Sequence, residues 1–347
     1  MTALETFVAP AGEAEFFAEL GRRHRLAVER RGLVTRALSI AGHRVSLDFA
    51  GSALSDILTN SLVNAGDESG QLGAAIGFWD SASTGVEPPR APCGFASSLG
   101  YGRGVGGGVR LGFCPVSSTL QVTSPDGAQG HYWVRRKECV PAWECAAPFR
   151  SLLAWWAESA GAVLAHAAVV GSPHCGIMLV GASGAGKSTS ALACASAGMG
   201  FLGDDCAVLR IENGEPEAHA LYRTAKVAKS LLEGKLSALR ALETDLVHDR
   251  GKAILRFDRN GSRMLVRSRI RAVVVQGFGA GVRSRLRPTS AAQALRALAP
   301  STLLQSPGTG QRALAVLASV VARTPCFALD AGHDLRALAD TISELCS

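Results

Sequence analysis

A chain of 347 residues that is 47% apolar and 19% charged is long enough for two domains with buried cores, which excludes disorder throughout. Its +7 formal charge comes without the interleaved aromatic residues of a single-strand nucleic-acid binder, so no nucleic-acid partner is expected. The longest apolar run, Ala160 to Val170, is interrupted by Gly161 and His166 and is too short for a bilayer, and the segment before Leu33 alternates acids with bases. Neither a membrane partner nor a secretion signal is expected, and the location is expected to be cytoplasmic. Nine cysteines without a CxxC pair are expected to be free thiols in a reducing compartment.

Residues 1–148 are expected to form a mixed α/β domain of unassigned role. Glu13 to Arg31 has the pattern of a charged amphipathic helix, and LSIAGHRVSLDF (Leu38 to Phe49) alternates as a hairpin around Ala41, Gly42 and His43. A helix is predicted from Ser52 and a strand over Ala74 to Trp79. Ser81 to Gly108, dense in Ser, Pro and Gly, is predicted to be a loop. Two strands, LQVT and HYWVRR, flank the turn Ser124-Pro125-Asp126-Gly127. Nothing in this half forms a catalytic constellation.

The second domain is expected over 149–347. Phe149 to Gly161 reads as a helix; its adjacent Trp155 and Trp156 cannot both face one core, so one is expected to meet a neighbouring domain or subunit. After Ala162 the texture becomes strand, glycine turn, strand, loop, helix, strand. The C-terminal end has helical segments around Ser290 to Leu298 and Arg312 to Ala322, a strand CFALD, and a last helix from Asp334. From Arg250 to Arg287 there are ten arginines and Lys252 against one acid, Asp258, a local charge of +10 that suits either a phosphate-binding surface or a solvated face.

The sharpest signal is GASGAGKS, Gly181 to Ser188, which fits GxxxxGK[ST] between an apolar strand, GIMLV, and the helix STSALACASA, with Gly198 as its C-terminal stop. Glycines at 181, 184 and 186 allow positive φ and close approach of backbone N–H groups to phosphate oxygens, helped by the helix N-terminus. The nucleotide contacts are therefore expected from Gly181, Ala182, Ser183, Gly184, Ala185, Gly186, Lys187, Ser188 and Thr189. Lys187 would reach the β- and γ-phosphates and the Ser188 hydroxyl would ligate Mg²⁺, so ATP and Mg²⁺ are the expected cofactors.

Asp204 and Asp205 follow the lysine by seventeen and eighteen positions, at the end of FLG. The later apolar strand RAVVVQG ends in Gln276, where a motor ATPase would place an acid. Two like charges side by side disfavour joint ionisation. One acid beside a metal and the other accepting a proton from a hydroxyl substrate resolves that repulsion. His166 lies in LAHAAVV, predicted to run antiparallel to GIMLV across a Gly171-Ser172-Pro173 turn; a lone histidine on a strand is also compatible with a satisfied core residue.

The combined pattern H-x14-GxxxxGKS-x15-DD resembles the catalytic domain of the HPr kinase/phosphorylase family over about residues 160 to 210. The resemblance implies an α/β architecture: a compact P-loop domain related to ATP-dependent phosphoenolpyruvate carboxykinase, here preceded by the smaller mixed domain. It implies transfer of the γ-phosphate to a serine hydroxyl of a protein or peptide, by a homo-oligomer. It further implies Asp204 as acid/base, Asp205 as the Mg²⁺-side acid with Ser188, and His166 as a catalytic residue near the γ-phosphate together with Lys187. The family's E-x-R-G-x-G loop has only VHDRGKAIL as a counterpart, with His248 at the acid's place, so neither phosphorylase activity nor HPr as acceptor is expected. Arg250, Arg283 and Arg285 are candidates to neutralise charge during transfer. A nucleotide-binding regulatory module without transfer and a small-molecule kinase remain the alternatives.

Overall fold

The charged amphipathic pattern near the N-terminus forms α1 (Glu13–Arg31), whose Phe16, Leu20 and Ala27 are buried. The computed structural model describes residues 12–63, 66, 69–91, 96–98, 101–103, 108–247, 251–258, 264–279, 281–305 and 309–346. The chain divides into two compact units. One takes in 1–39, 43–59 and 66–141; the other takes in 40–42, 60–65 and 142–347. The main division therefore follows Pro141, not residue 148, and two short stretches of the first half belong to the second unit.

In the first unit, α1 is followed by β1 (Leu33–Ile40), β2 (His43–Ala50), α2 (Ser55–Thr59), β3 (Gln71–Asp80), α3 (Ser81–Thr84), β4 (Ala96–Ser98), β5 (Tyr101–Arg103), β6 (Arg110–Cys114), β7 (Thr119–Thr123) and β8 (Gln129–Val134). These strands make one eight-stranded sheet in the order β1-β2-β3-β8-β7-β6-β5-β4. It is parallel from β2 through β3 to β8 and antiparallel from β8 to β4. Phe16, Leu20 and Ala27 pack with Trp79, Trp133 and Val122 in its core. The segment expected as a loop from Ser81 opens with α3, because the Asp80 carboxylate accepts from the Ser83 N–H at 2.7 Å and Gly85 closes the turn at φ 67°. Short strands β4 and β5 then extend the sheet.

The second unit holds α4 (Ala142–Ala146), α5 (Arg150–Ser159), β9 (Val163–Ala165), β10 (Ala168–Gly171), β11 (Gly176–Val180), α6 (Lys187–Ser196), β12 (Gly200–Gly203), β13 (Ala207–Glu212), β14 (Glu215–His219), β15 (Thr224–Ala228), α7 (Lys229–Glu233), β16 (Glu243–Val247), β17 (Lys252–Arg256), β18 (Arg267–Phe278), β19 (Arg285–Pro288), α8 (Ala291–Gln305), α9 (Gln311–Ala322), β20 (Cys326–Ala331) and α10 (Leu335–Ser343). Its main sheet has nine strands along β12-β10-β11-β18-β14-β13-β9, with β20 beside β18 and β19 beside β20. The smaller sheet is β15-β17-β16. Strand β11 runs parallel to β18, and β18 parallel to β20, while β10 turns back antiparallel on β11.

GIMLV is apolar throughout because both of its faces are covered. Ile177 and Leu179 pack with Leu192, Leu338 and Ile342 of α6 and α10. Met178 and Val180 point the other way, to Leu298 of α8 and Leu317 and Val320 of α9. The alternation of a strand thus serves two cores from five residues. Trp155 and Trp156 are both buried, at 1% and 3% exposure. Helix α5 is buried from Ser151 through Glu158, so it has no solvent side to divide the pair.

No described helix is long and apolar enough to cross a membrane. The free-thiol expectation fails at one pair: Cys175 and Cys346 form a disulfide across 171 residues. Among the described residues, Cys114, Cys139, Cys145, Cys194, Cys206 and Cys326 take part in no disulfide.

Candidate active site

The phosphate loop leaves the C-terminal end of a parallel strand, the edge at which open α/β sheets bind ligands. Gly181 has φ 152° and Gly186 φ 94°, and a Cβ on Gly181 would meet Ala185 Cβ at 3.2 Å and the Gln276 carbonyl at 3.3 Å. Only glycine fits there without strain. Helix α6 starts at Lys187 with Gly186 as N-cap and no side chain bonded to its first N–H groups. Those donors and the helix dipole are open to an anion, and Ala182, Ser183 and Gly184 are exposed at the mouth. The Lys187 ammonium donates to the carbonyls of Gly181 at 2.8 Å and Ala182 at 3.1 Å, closing the loop on itself. Burial lowers its pKa, opposed by the charges of Asp205 and Asp204.

Asp204 and Asp205 follow β12 directly, and their environments differ sharply. Asp204 is 4% exposed and accepts the Lys226 N–H at 3.1 Å. Burial, followed by the charge of Asp205, pushes its carboxyl up to about 6. Asp205 is also desolvated, yet Arg150, His166 and Lys226 hold its carboxyl well below the ordinary range. Arg150 donates to its Oδ2 at 2.7 Å, His166 Nε2 lies 2.9 Å from Oδ1, and the Lys226 ammonium lies 3.7 Å from Oδ2. The pair is a carboxylate pair split by surroundings into one firmly ionised group and one poised near neutrality.

His166 occupies the break between β9 and β10, not the interior of a single strand, and it is 6% exposed. Its backbone N–H donates to Thr302 Oγ1 at 3.0 Å, and its Nδ1 is 3.1 Å from Gln305 Nε2. Gln305 Oε1 in turn accepts from Arg150 at 2.6 Å. A ring of Asp205, His166, Gln305 and Arg150 results, closed by four polar contacts. The structure therefore gathers the phosphate loop, both aspartates and His166 within one unit.

Three members of this arrangement carry no sequence signal: Arg150 at the start of α5, Lys226 on β15 and Gln305 at the end of α8. Each lies far along the chain from the loop and belongs to no spacing motif. The arginine that reaches the acid pair is Arg150, outside the basic segment. Arg283 and Arg285 are exposed, and Arg250 and His248 lie outside the described residues. Much of the basic segment's charge is spent on exposed ion pairs: Arg269 and Arg271 with Glu215, and Arg287 with Asp330.

Gln276 stands where a metal-side acid would be in other P-loop proteins. Val180 pairs with Val275 across β11 and β18, which sets Gln276 beside Gly181. It is 6% exposed, and its Oε1 has no hydrogen-bond partner. A buried unpaired acceptor next to the loop is unfavourable in isolation and fits a site whose last partner is a ligand.

No protein-family model matches the chain, and no curated protein does. Among solved structures, the HPr(Ser) kinase/phosphatase from Coxiella burnetii is similar at 13% identity and a TM-score of 0.27, over 52% of this chain and 92% of that one. The likeness is distant, and the α/β class stands on the sheets and helices described above.

Proposed function

We propose that this protein is an ATP-dependent phosphotransferase that passes the γ-phosphoryl group to a serine hydroxyl of a protein or peptide. The observation that carries the reading is the split acid pair: a buried carboxyl whose pKa is raised to about 6 stands next to a neighbour locked in ion pairs with Arg150, His166 and Lys226. An efficient general base has a pKa near the working pH.

The loop fits a nucleoside triphosphate: N–H groups between Gly181 and Thr189 would face the phosphate oxygens, that of Ala185 leaving its present partner, the Ala182 carbonyl, and Lys187 would exchange its two carbonyl partners for the β- and γ-phosphates. The oxygen donors fit Mg²⁺, held by the Ser188 hydroxyl, and the bound ion would supply neutralisation of phosphate charge. Asp205 was the acid expected on the metal. Its oxygens already face Arg150, His166 and Lys226, so a metal contact there requires one of these to give way. In this proposal Asp205 chiefly orients His166 and Arg150 toward the transferring group.

Asp204 accepts the proton as the serine oxygen forms its bond to phosphorus and the bond to the ADP oxygen breaks. His166 and Arg150 add donors on the same side, and Lys187 stabilises the charge on the transferring group. Catalysis is positioning and electrostatics.

The test is incubation of the purified chain with γ-labelled ATP and a lysate of its own cells, followed by separation of protein from small molecules. Label on protein serine supports the proposal. Label on a metabolite identifies a small-molecule kinase, and no label above the Lys187→Ala background identifies a binding module.

A further inference from the structure

Away from the phosphate loop, the hairpin of β13 and β14 brings together Glu212, Glu217 and His219. One ligand atom from each lies within 4.8 Å of the other two. Glu217 and His219 alternate onto one face of β14, and Glu212 joins them from the end of β13. His219 is 7% exposed and Glu217 8%, so both side chains are removed from water. Yet His219 Nε2 and Glu217 Oε2, 3.5 Å apart, have no hydrogen-bond partner among the described residues. A buried imidazole nitrogen and a buried carboxylate oxygen thus converge at more than hydrogen-bond distance, an arrangement that is unfavourable unless a cation or a proton is shared there.

We propose that Glu212, Glu217 and His219 form a binding site for one divalent transition-metal ion of the zinc or cobalt type, sharing no residue with the phosphate-loop site. One imidazole nitrogen and two carboxylates suit such an ion better than the all-oxygen sets of magnesium or calcium. Glu212 and Glu217 line a cavity of about 430 Å³ together with Glu215, Arg267 and Arg269, which leaves room for a fourth ligand from solvent. The neighbouring arginines oppose a cation. They are partly engaged elsewhere: Arg269 pairs with Glu215 at 2.9 Å and stays 3.9 Å from Glu217, while Arg210 is 3.6 Å from Glu212 and donates to the Ala41 carbonyl. Their charge weakens the site without occupying it.

The experiment is titration of chelator-stripped, nucleotide-free protein with Co²⁺, read by visible absorption, and with Zn²⁺, read by calorimetry. One equivalent is expected, with the spectrum of nitrogen and oxygen ligation. Glu212→Gln, at a site 37% exposed and tolerant of an amide, is expected to weaken binding at least about tenfold, as is His219→Ala. Ser188→Ala is expected to leave Co²⁺ binding unchanged. No binding by the parent protein, or binding that Ser188→Ala abolishes and Glu212→Gln does not, overturns the proposal and leaves the cluster as carboxylates sharing a proton.

Discussion

His166 Nε2 lies 2.9 Å from Asp205 Oδ1, so the histidine singled out by its spacing from the phosphate loop is bonded to the second of the two aspartates. That contact and the 2.7 Å contact to Arg150 keep Asp205 ionised, and its fixed charge helps to raise Asp204. The pair works as a unit, and its behaviour with pH follows.

Asp204 must be ionised to take a proton. With its carboxyl near 6, phosphotransfer is expected to fall about tenfold per pH unit below that value and to level off above it. The stability effect has the opposite sign. A carboxyl whose folded pKa is above its ordinary 3.8 favours the fold while protonated, and that contribution is lost as pH rises through about 6. Asp204→Asn is therefore expected to raise the melting temperature at pH 8 relative to the parent, with the gain shrinking toward pH 4. An acid limb centred near 4 in the pH–rate profile would contradict this assignment.

Arg150 and Asp205 are partly exposed, at 21% and 28% of their side chains, so their coupling is screened. A double-mutant cycle of Arg150→Met and Asp205→Asn, read by denaturant unfolding, is expected to give about 1–2 kcal/mol of interaction. A value near zero would mean that Asp205 is not held by this contact.

Gln276→Leu removes a buried amide whose Oε1 has no partner. Stability is expected to hold or rise slightly, because an unpaired acceptor leaves the interior. Turnover with MgATP is expected to fall, with the loss in kcat and not in nucleotide affinity. Unchanged turnover would make Gln276 a packing residue.

The Cys175–Cys346 bond closes a 171-residue loop and ties the entry to β11 to the chain end after α10. Reduction, or Cys175→Ser, is expected to cost roughly 2–4 kcal/mol in chemical denaturation. The phosphate loop lies at the other end of β11, so nucleotide binding in the folded state is expected to persist; a loss of binding on reduction would show that the bond holds the loop itself.

Local signals made much of this legible in the sequence. GIMLV, the glycine loop and STSALACASA specify strand, turn and helix by themselves, and α1 shows its buried stripe at Phe16, Leu20 and Ala27. Gly198, with φ 103°, was readable as the stop of α6 for the same reason. What was hidden depends on long-range pairing. Nothing near Arg150, Lys226 or Gln305 announces that α5 and β15 converge on one aspartate, or that α8 braces the histidine and arginine that hold it. A helix pattern shows which faces are apolar but not how many neighbours cover them, so the burial of both Trp155 and Trp156 was not readable. Cys175 and Cys346 could not be paired from spacing, since only the fold brings their Cα atoms to 5.8 Å.

The most direct test of the account measures two quantities on Asp204→Asn: MgATP binding by calorimetry, and label transfer to serine from γ-labelled ATP at pH 7.5. Binding within about threefold of the parent with transfer reduced at least ~100-fold is the predicted result, since a positioned base is worth about that much. Transfer at the parental rate with binding intact would contradict it, and the proton would have to leave by another route.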